Sequence, residues 1–238
     1  MRVTNHGSHL VQLTRLFAFN SQIVREDDGL TIIDTNLPGS AKGILAAAQA
    51  LGQPIRRIVL THAHSDHVGS LDALAAQVPG VEVLISARDA RFLAGDNRLD
   101  PDEPQTALRG SYVTCMTAPT RLLNDGDRIG SLEAIATPGH TPGHMALLDR
   151  RAGTLIAGDA FTTRAGVTTA GTFRLLFPFP ALATWNRPTG LVSARRLAAL
   201  GPSRLAVGHG PVIEAPLAAM QAAIAEAERH LPEVAYAG

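Results

Sequence analysis

Short apolar runs open the chain and give way to longer helical stripes. Residues 10–13, 17–24 and 30–34 read as three strands, the last set off by the turn signal Asp27-Asp28-Gly29. Over residues 40–51 the character becomes alanine-rich and helical, and it stops at Gly52 with Pro54 just beyond. A buried strand follows at 55–60, then a helix at 69–77 with Leu71 and Leu74 on one face, ended by Pro79-Gly80. A strand at 81–86 and a short helix at 87–93 continue the alternation, which is the rhythm of an α/β domain.

Residues 95–119 have no clear period and hold Pro101, Pro104 and Pro119; a loop this long inside a compact domain is usually functional or mobile. Beyond it, 121–123, 131–137, 145–149 and 154–157 read as a second set of strands. The least regular stretch, 160–190, carries an apolar cluster around Phe173, Phe177 and Phe179, with Trp185 nearby. These aromatics are candidate substrate contacts, walling a site and favouring an apolar group; the other reading packs them over a sheet edge or against a twin subunit, a homodimer. A helix at 188–200, a strand at 204–207 and an amphipathic helix at 216–231, with Leu217, Met220 and Ile224 on one stripe, close the pattern. With no linker composition, low complexity or fixed-period repeat, the expectation is one domain over residues 1–238.

Composition narrows the class. The chain's 238 residues are ample for a sizeable core, and its 21 basic and 21 acidic side chains cancel. Nucleic-acid binding normally leaves a basic footprint, so none is expected as a partner. No apolar run reaches the length of a membrane span, and residues 1–9 lack the apolar core of a signal peptide. Cys115 is the only cysteine, which rules out an intrachain disulfide and marks a structural thiol. The expectation is a soluble cytoplasmic protein acting on a small molecule.

The chemistry concentrates in Thr61-His62-Ala63-His64-Ser65-Asp66-His67-Val68-Gly69, directly after the strand at 55–60. Imidazole and carboxylate suit zinc and its neighbours. In extended backbone, side chains two residues apart project to the same side, so His62 and His64 can share one metal. If the chain turns into a helix at Gly69, Asp66 and His67 swing away towards a second metal close by.

His62-x-His64-x-Asp66-His67 resembles the signature of the metallo-β-lactamase fold superfamily, and further motifs follow in order. They are His140 in Thr137-Pro138-Gly139-His140-Thr141-Pro142-Gly143-His144, Asp159 in Leu155-Ile156-Ala157-Gly158-Asp159, and His209 in Gly208-His209-Gly210-Pro211. The resemblance implies a four-layer αβ/βα sandwich, two mixed β-sheets flanked by helices. It implies that His62, His64 and His140 hold one metal, that Asp66, His67 and His209 hold a second, and that Asp159 bridges them. Two zinc ions are expected, with manganese or iron also tolerated by such ligands. A hydroxide shared by the ions would attack a carbonyl, and Asp66 would pass a proton to the leaving group. Asp34, ending its strand, would either orient a ligand imidazole or cap a turn; His144 would stand beside the ligands, and His6, His9 and His230 at the surface.

The family's branches differ at named positions. True β-lactamases of this fold generally lack the bridging aspartate, and flavodiiron oxygen reductases carry glutamate where His64 stands. Lactonases typically have tyrosine where this chain has Thr162, and glutathione-thioester hydrolases follow the last ligand with glutamate and tyrosine, not Gly210 and Pro211. The expected activity is therefore hydrolysis of an ester, lactone or thioester of a small molecule. The alternatives are a mononuclear-iron, persulfide-dioxygenase-like oxidoreductase and a non-catalytic metal-binding module.

Overall fold

In the computed structural model, which describes residues 1–231, the first four strands form a meander, after which the sheet continues in parallel. Strands β1 (Arg2–His6), β2 (Leu10–Arg15), β3 (Phe19–Glu26) and β4 (Gly29–Ile33) pair antiparallel. Strands β5 (Ile55–Val59), β6 (Glu82–Ser86) and β7 (Arg121–Leu123) then extend the sheet in parallel. Between them run α1 (Ala41–Leu51), α2 (Ser65–Val68), α3 (Leu71–Ala75) and α4 (Ala87–Leu93). A second sheet has the order β15-β14-β11-β10-β9-β8 and is also mixed. Its members are β8 (Arg128–Ile129), β9 (Leu132–Ala136), β10 (Met145–Asp149), β11 (Thr154–Ile156), β14 (Arg204–Ala206) and β15 (Ile213–Glu214). The hairpin β12 (Phe161–Thr162) and β13 (Thr168–Thr169), then α5 (Phe179–Leu182), α6 (Arg187–Ala199) and α7 (Leu217–His230), complete the described elements.

Three apolar cores make the layers. Between the sheets, Leu10, Ile33, Val59 and Leu84 meet Leu132, Met145, Leu147 and Ile156. Outside the first sheet, Ile23, Ile32 and Ile58 pack on Ile44 of α1 and Leu71 and Leu74 of α3. Outside the second, Ala146, Leu148 and Leu155 pack on Leu191, Ala194 and Leu197 of α6 and on Met220 and Ile224 of α7. Strands buried on both faces need no polar alternation, which is why β4 and β10 are buried throughout. The four-layer expectation is met.

Several local expectations are corrected. Strand β1 escapes the sequence pattern because it is a largely exposed edge strand of polar residues. The helix expected at 69–77 begins earlier, at Ser65, and is broken at Ser70, whose hydroxyl donates to the Leu37 carbonyl at 2.7 Å and accepts from the Ser40 amide at 2.8 Å. Within 160–190 the structure adds β12, β13 and α5, elements too short to show a period. Residues 232–238, the end of the expected domain, lie outside the described residues.

Candidate metal centre

Strands β4, β5, β9, β11 and β14 all deliver a loop to the same edge of the two sheets. The loop after β5 carries His62 and His64 while still extended (His64 at ψ 147°), and α2 then turns Asp66 and His67 to a different direction. His140 arrives from the loop after β9, Asp159 from that after β11 and His209 from that after β14.

Two triads result. The inward nitrogens of His62, His64 and His140 lie close together, with His62 Nε2 3.1 Å from His64 Nδ1 and His64 Nδ1 3.0 Å from His140 Nε2. Asp66, His67 and His209 form the second group, Asp66 Oδ2 standing 3.3 Å from His209 Nε2. Asp159 reaches both, with Oδ2 3.4 Å from His140 Nε2 and 3.0 Å from His209 Nε2, and Oδ1 3.4 Å from His67 Nε2. All but Asp66, which is 23 % exposed, are buried.

The outward ring nitrogens explain the tautomers. Thr184 Oγ1 spends its proton on the carbonyls of Ala170 and Pro180, so towards His140 Nδ1 at 3.0 Å it accepts. Thr61 Oγ1 likewise donates to Asp34 Oδ2 and accepts from His62 Nδ1. His64 Nε2 donates to the Arg109 carbonyl at 2.9 Å, and His67 Nδ1 to Asp34 Oδ2 at 2.7 Å. The inward nitrogens of His62, His64 and His140 therefore present lone pairs, and lone pairs about 3 Å apart repel unless a proton or cation lies between them. His67 Nε2 and Asp159 Oδ1 are buried with no hydrogen-bond partner. Gly208 leaves this space open, since a Cβ there would come within 2.2 Å of Asp159 Oδ1. The residues present fit a pair of divalent cations.

Electrostatics agree. Burial drives His62 and His140 well below the ordinary histidine value and His64 down to about 4, keeping them neutral as ligands must be. At His67 and His209 burial is outweighed by Asp159 and its neighbouring carboxylates, which hold His67 well above its ordinary value and His209 at about 9. Asp159 is held well below the usual carboxylate range, its burial outweighed by His209 and His67.

The remaining expected residues divide. Asp34 is the orienting acceptor: it takes hydrogen bonds from Thr61 N, Thr61 Oγ1 and His67 Nδ1, in a left-handed backbone conformation at φ 59°. His144 stays outside the ligand set because its Nε2 accepts from the Asp159 amide at 3.0 Å, leaving no lone pair for a metal. A cleft of about 490 Å³ opens onto the ligands, walled by Phe19, Leu37, Phe179, Pro180 and Leu182. Phe177 is buried with its ring 5.3 Å from His209, whereas Phe179 stands 62 % exposed at the mouth. Phe173 is a correction: it lines a separate cavity beside α7, where the Arg174–Glu226 ion pair holds its segment. Phe19, Thr184 and the Arg109 carbonyl were not foreseen; none sits in a motif, and a backbone carbonyl leaves no signal in the sequence.

A family model described as the metallo-beta-lactamase superfamily matches residues 16–209. The uncharacterized protein YobT of Bacillus subtilis (strain 168) is 49 % identical over 232 residues, covering 96 % of this chain and all of that one. The probable metallo-hydrolase YflN of the same organism is 30 % identical over 207 residues, covering 79 % of this chain and 78 % of that one. Among solved structures, TTHA1623 in a di-iron-bound form is 26 % identical with a TM-score of 0.61, covering 88 % of this chain and 96 % of that one.

Proposed function

Because this chain belongs to the metallo-beta-lactamase superfamily, we propose that it is a dinuclear metal-dependent hydrolase cleaving an ester, lactone or thioester of a small molecule with an apolar acyl group. The observation that carries the reading is the pair of preformed ligand triads joined by Asp159 at the floor of an apolar cleft. His62, His64 and His140 would hold one cation, Asp66, His67 and His209 the other, and Asp159 both. When bound, such cations polarise a carbonyl and lower the pKa of water from about 15.7 towards about 7. Zinc suits the donors, and the description of TTHA1623 as di-iron-bound supports the reading of two metals.

The chain's own groups then do the positioning. Phe19, Leu37, Phe179, Pro180 and Leu182 exclude water along one wall and seat the acyl group. Asp66, at the open side of the centre, would pass a proton to the leaving group. The cleft lining contains no lysine or arginine, which disfavours a substrate carrying carboxylates at that end. No helix among the described residues is long and apolar enough to cross a membrane, and the lone Cys115 suits a reducing compartment, the cytoplasm.

The test is metal analysis of the purified protein, followed by assay against esters, lactones and thioesters of graded acyl length. Two zinc ions per chain and turnover of at least one class are expected. His140→Ala should lose one metal and at least about 100-fold in kcat/KM. One iron with oxygen consumption, or an H140A variant of full activity, would overturn the proposal.

A further inference from the structure

Asp89 is a fully buried carboxylate outside both ligand triads, in the first turn of α4. Its Oδ2 accepts from the Ala63 amide at 3.0 Å and from Thr141 Oγ1 at 2.7 Å. Its Oδ1 accepts from the Gly143 amide at 2.7 Å. Ala63 lies between His62 and His64, while Thr141 and Gly143 stand one and three residues after His140. One carboxylate thus ties the loop of the first sheet to the loop of the second, at the residues flanking one ligand triad. The donors stand beside His62, His64 and His140; none lies in α2, which carries Asp66 and His67, or in the loop of His209.

Two of the three partners are backbone N–H groups, one at each carboxylate oxygen, so both oxygens must accept, which a carboxylate does and a side-chain amide cannot. The approach is tight: a Cβ on Gly143 would come within 2.6 Å of Asp89 Oδ1 and 2.5 Å of Ser86 Oγ. Burying a carboxylate without a paired cation is costly, and burial pushes Asp89 up to about 6 despite its hydrogen bonds. A group retained at such cost at the seam of two metal loops calls for a reason, and Thr141 and Gly143 have none in ligation itself.

We propose that Asp89 is a positioning residue that sets the spacing of His62, His64 and His140, and so tunes the affinity of that triad selectively. Thr141 and Gly143 belong to the motif as its partners. The inference rests on the metal reading of the centre but concerns one triad of the two. Asp89→Asn places an NH2 against at least one of the three donors while keeping the shape. Groups that orient metal ligands typically carry about 10–100-fold in affinity.

The experiment is calorimetric titration of chelator-stripped protein with zinc alone, with circular dichroism to check the fold. In a His209→Ala background, D89N should weaken zinc binding at least about tenfold. In a His140→Ala background, where this triad is already broken, D89N should change the remaining affinity less than about twofold. Equal loss in both backgrounds, or no loss in either, overturns the proposal. If D89N does not fold, Thr141→Val decides in the same two backgrounds, because it removes one hydrogen bond at nearly constant shape. A several-fold loss confined to the H209A background supports the proposal, and any other pattern overturns it. Failure of the unaltered protein to bind zinc at all would instead sink the metal reading.

Discussion

Asp34 gathers three donors in a conformation that few residues other than glycine adopt. Its carboxylate fixes His67 directly and His62 through the Thr61 hydroxyl, so one side chain orients an imidazole of each triad. Asparagine also tolerates the left-handed region, so Asp34→Asn leaves the backbone unstrained and changes only the acceptor. The variant is expected to lose about 10–100-fold in zinc affinity, measured by titration of stripped protein, with native circular dichroism. Unchanged affinity would show that the two imidazoles are held by packing alone. At this scale the ligands were legible because each sits in a short motif whose chemistry is local. Asp89 and Thr184 were not, because the partners of Asp89 lie 26 to 54 residues away and Thr184 meets His140 across 44, and only the folded chain brings them together.

The elements with the weakest sequence signal are those that shape the cleft. Helix α5 is a single turn, and the long segment at 95–119 holds few regular elements, yet the two are joined through Trp185. Its Nε1 donates to the Thr106 carbonyl at 3.0 Å and its backbone N–H to the His140 carbonyl at 3.0 Å, tying both segments to a ligand loop. Side chains of α5 form the outer wall, Phe179 and Leu182 being 62 % and 53 % exposed. Replacing both by serine should shift thermal stability little, since exposed positions usually move it by no more than about 0.5 kcal/mol. For p-nitrophenyl esters, kcat/KM on octanoate is expected to fall about tenfold and on acetate less than about twofold, because only the longer chain reaches that wall. Equal losses on both esters would remove α5 from substrate binding. The sequence pattern placed Phe179 and Phe177 here but also Phe173, since neighbours in an aperiodic run cannot be assigned to sides without the fold.

Across the whole molecule, the two sheets are legible from apolar runs, and their joining at one edge gathers the titratable groups whose balance sets acid and alkaline stability. In metal-free protein, His62, His64, His140 and His144 are held below the ordinary histidine value by burial. Unfolding lets them take up protons, so their contribution is fully present above about pH 6.5 and is lost as pH falls below it. His67 and His209 run the other way, because carboxylates outweigh their burial and raise them. Their contribution is fully present below about pH 6.5 and is lost as pH rises, through about 9 for His209. Asp89, raised by burial to about 6, opposes the acid limb, but one carboxyl stands against four imidazoles. The chelator-treated protein should therefore melt highest near about pH 7 and lower on both sides, in scans from about pH 5 to 9.5. Restoring zinc should raise the midpoint throughout and flatten the alkaline limb most, because a cation replaces the proton that His67 and His209 would otherwise lose. A metal-free protein whose midpoint climbs steadily to pH 9 would mean that His67 and His209 do not hold their protons, and that the carboxylates around them are not charged together.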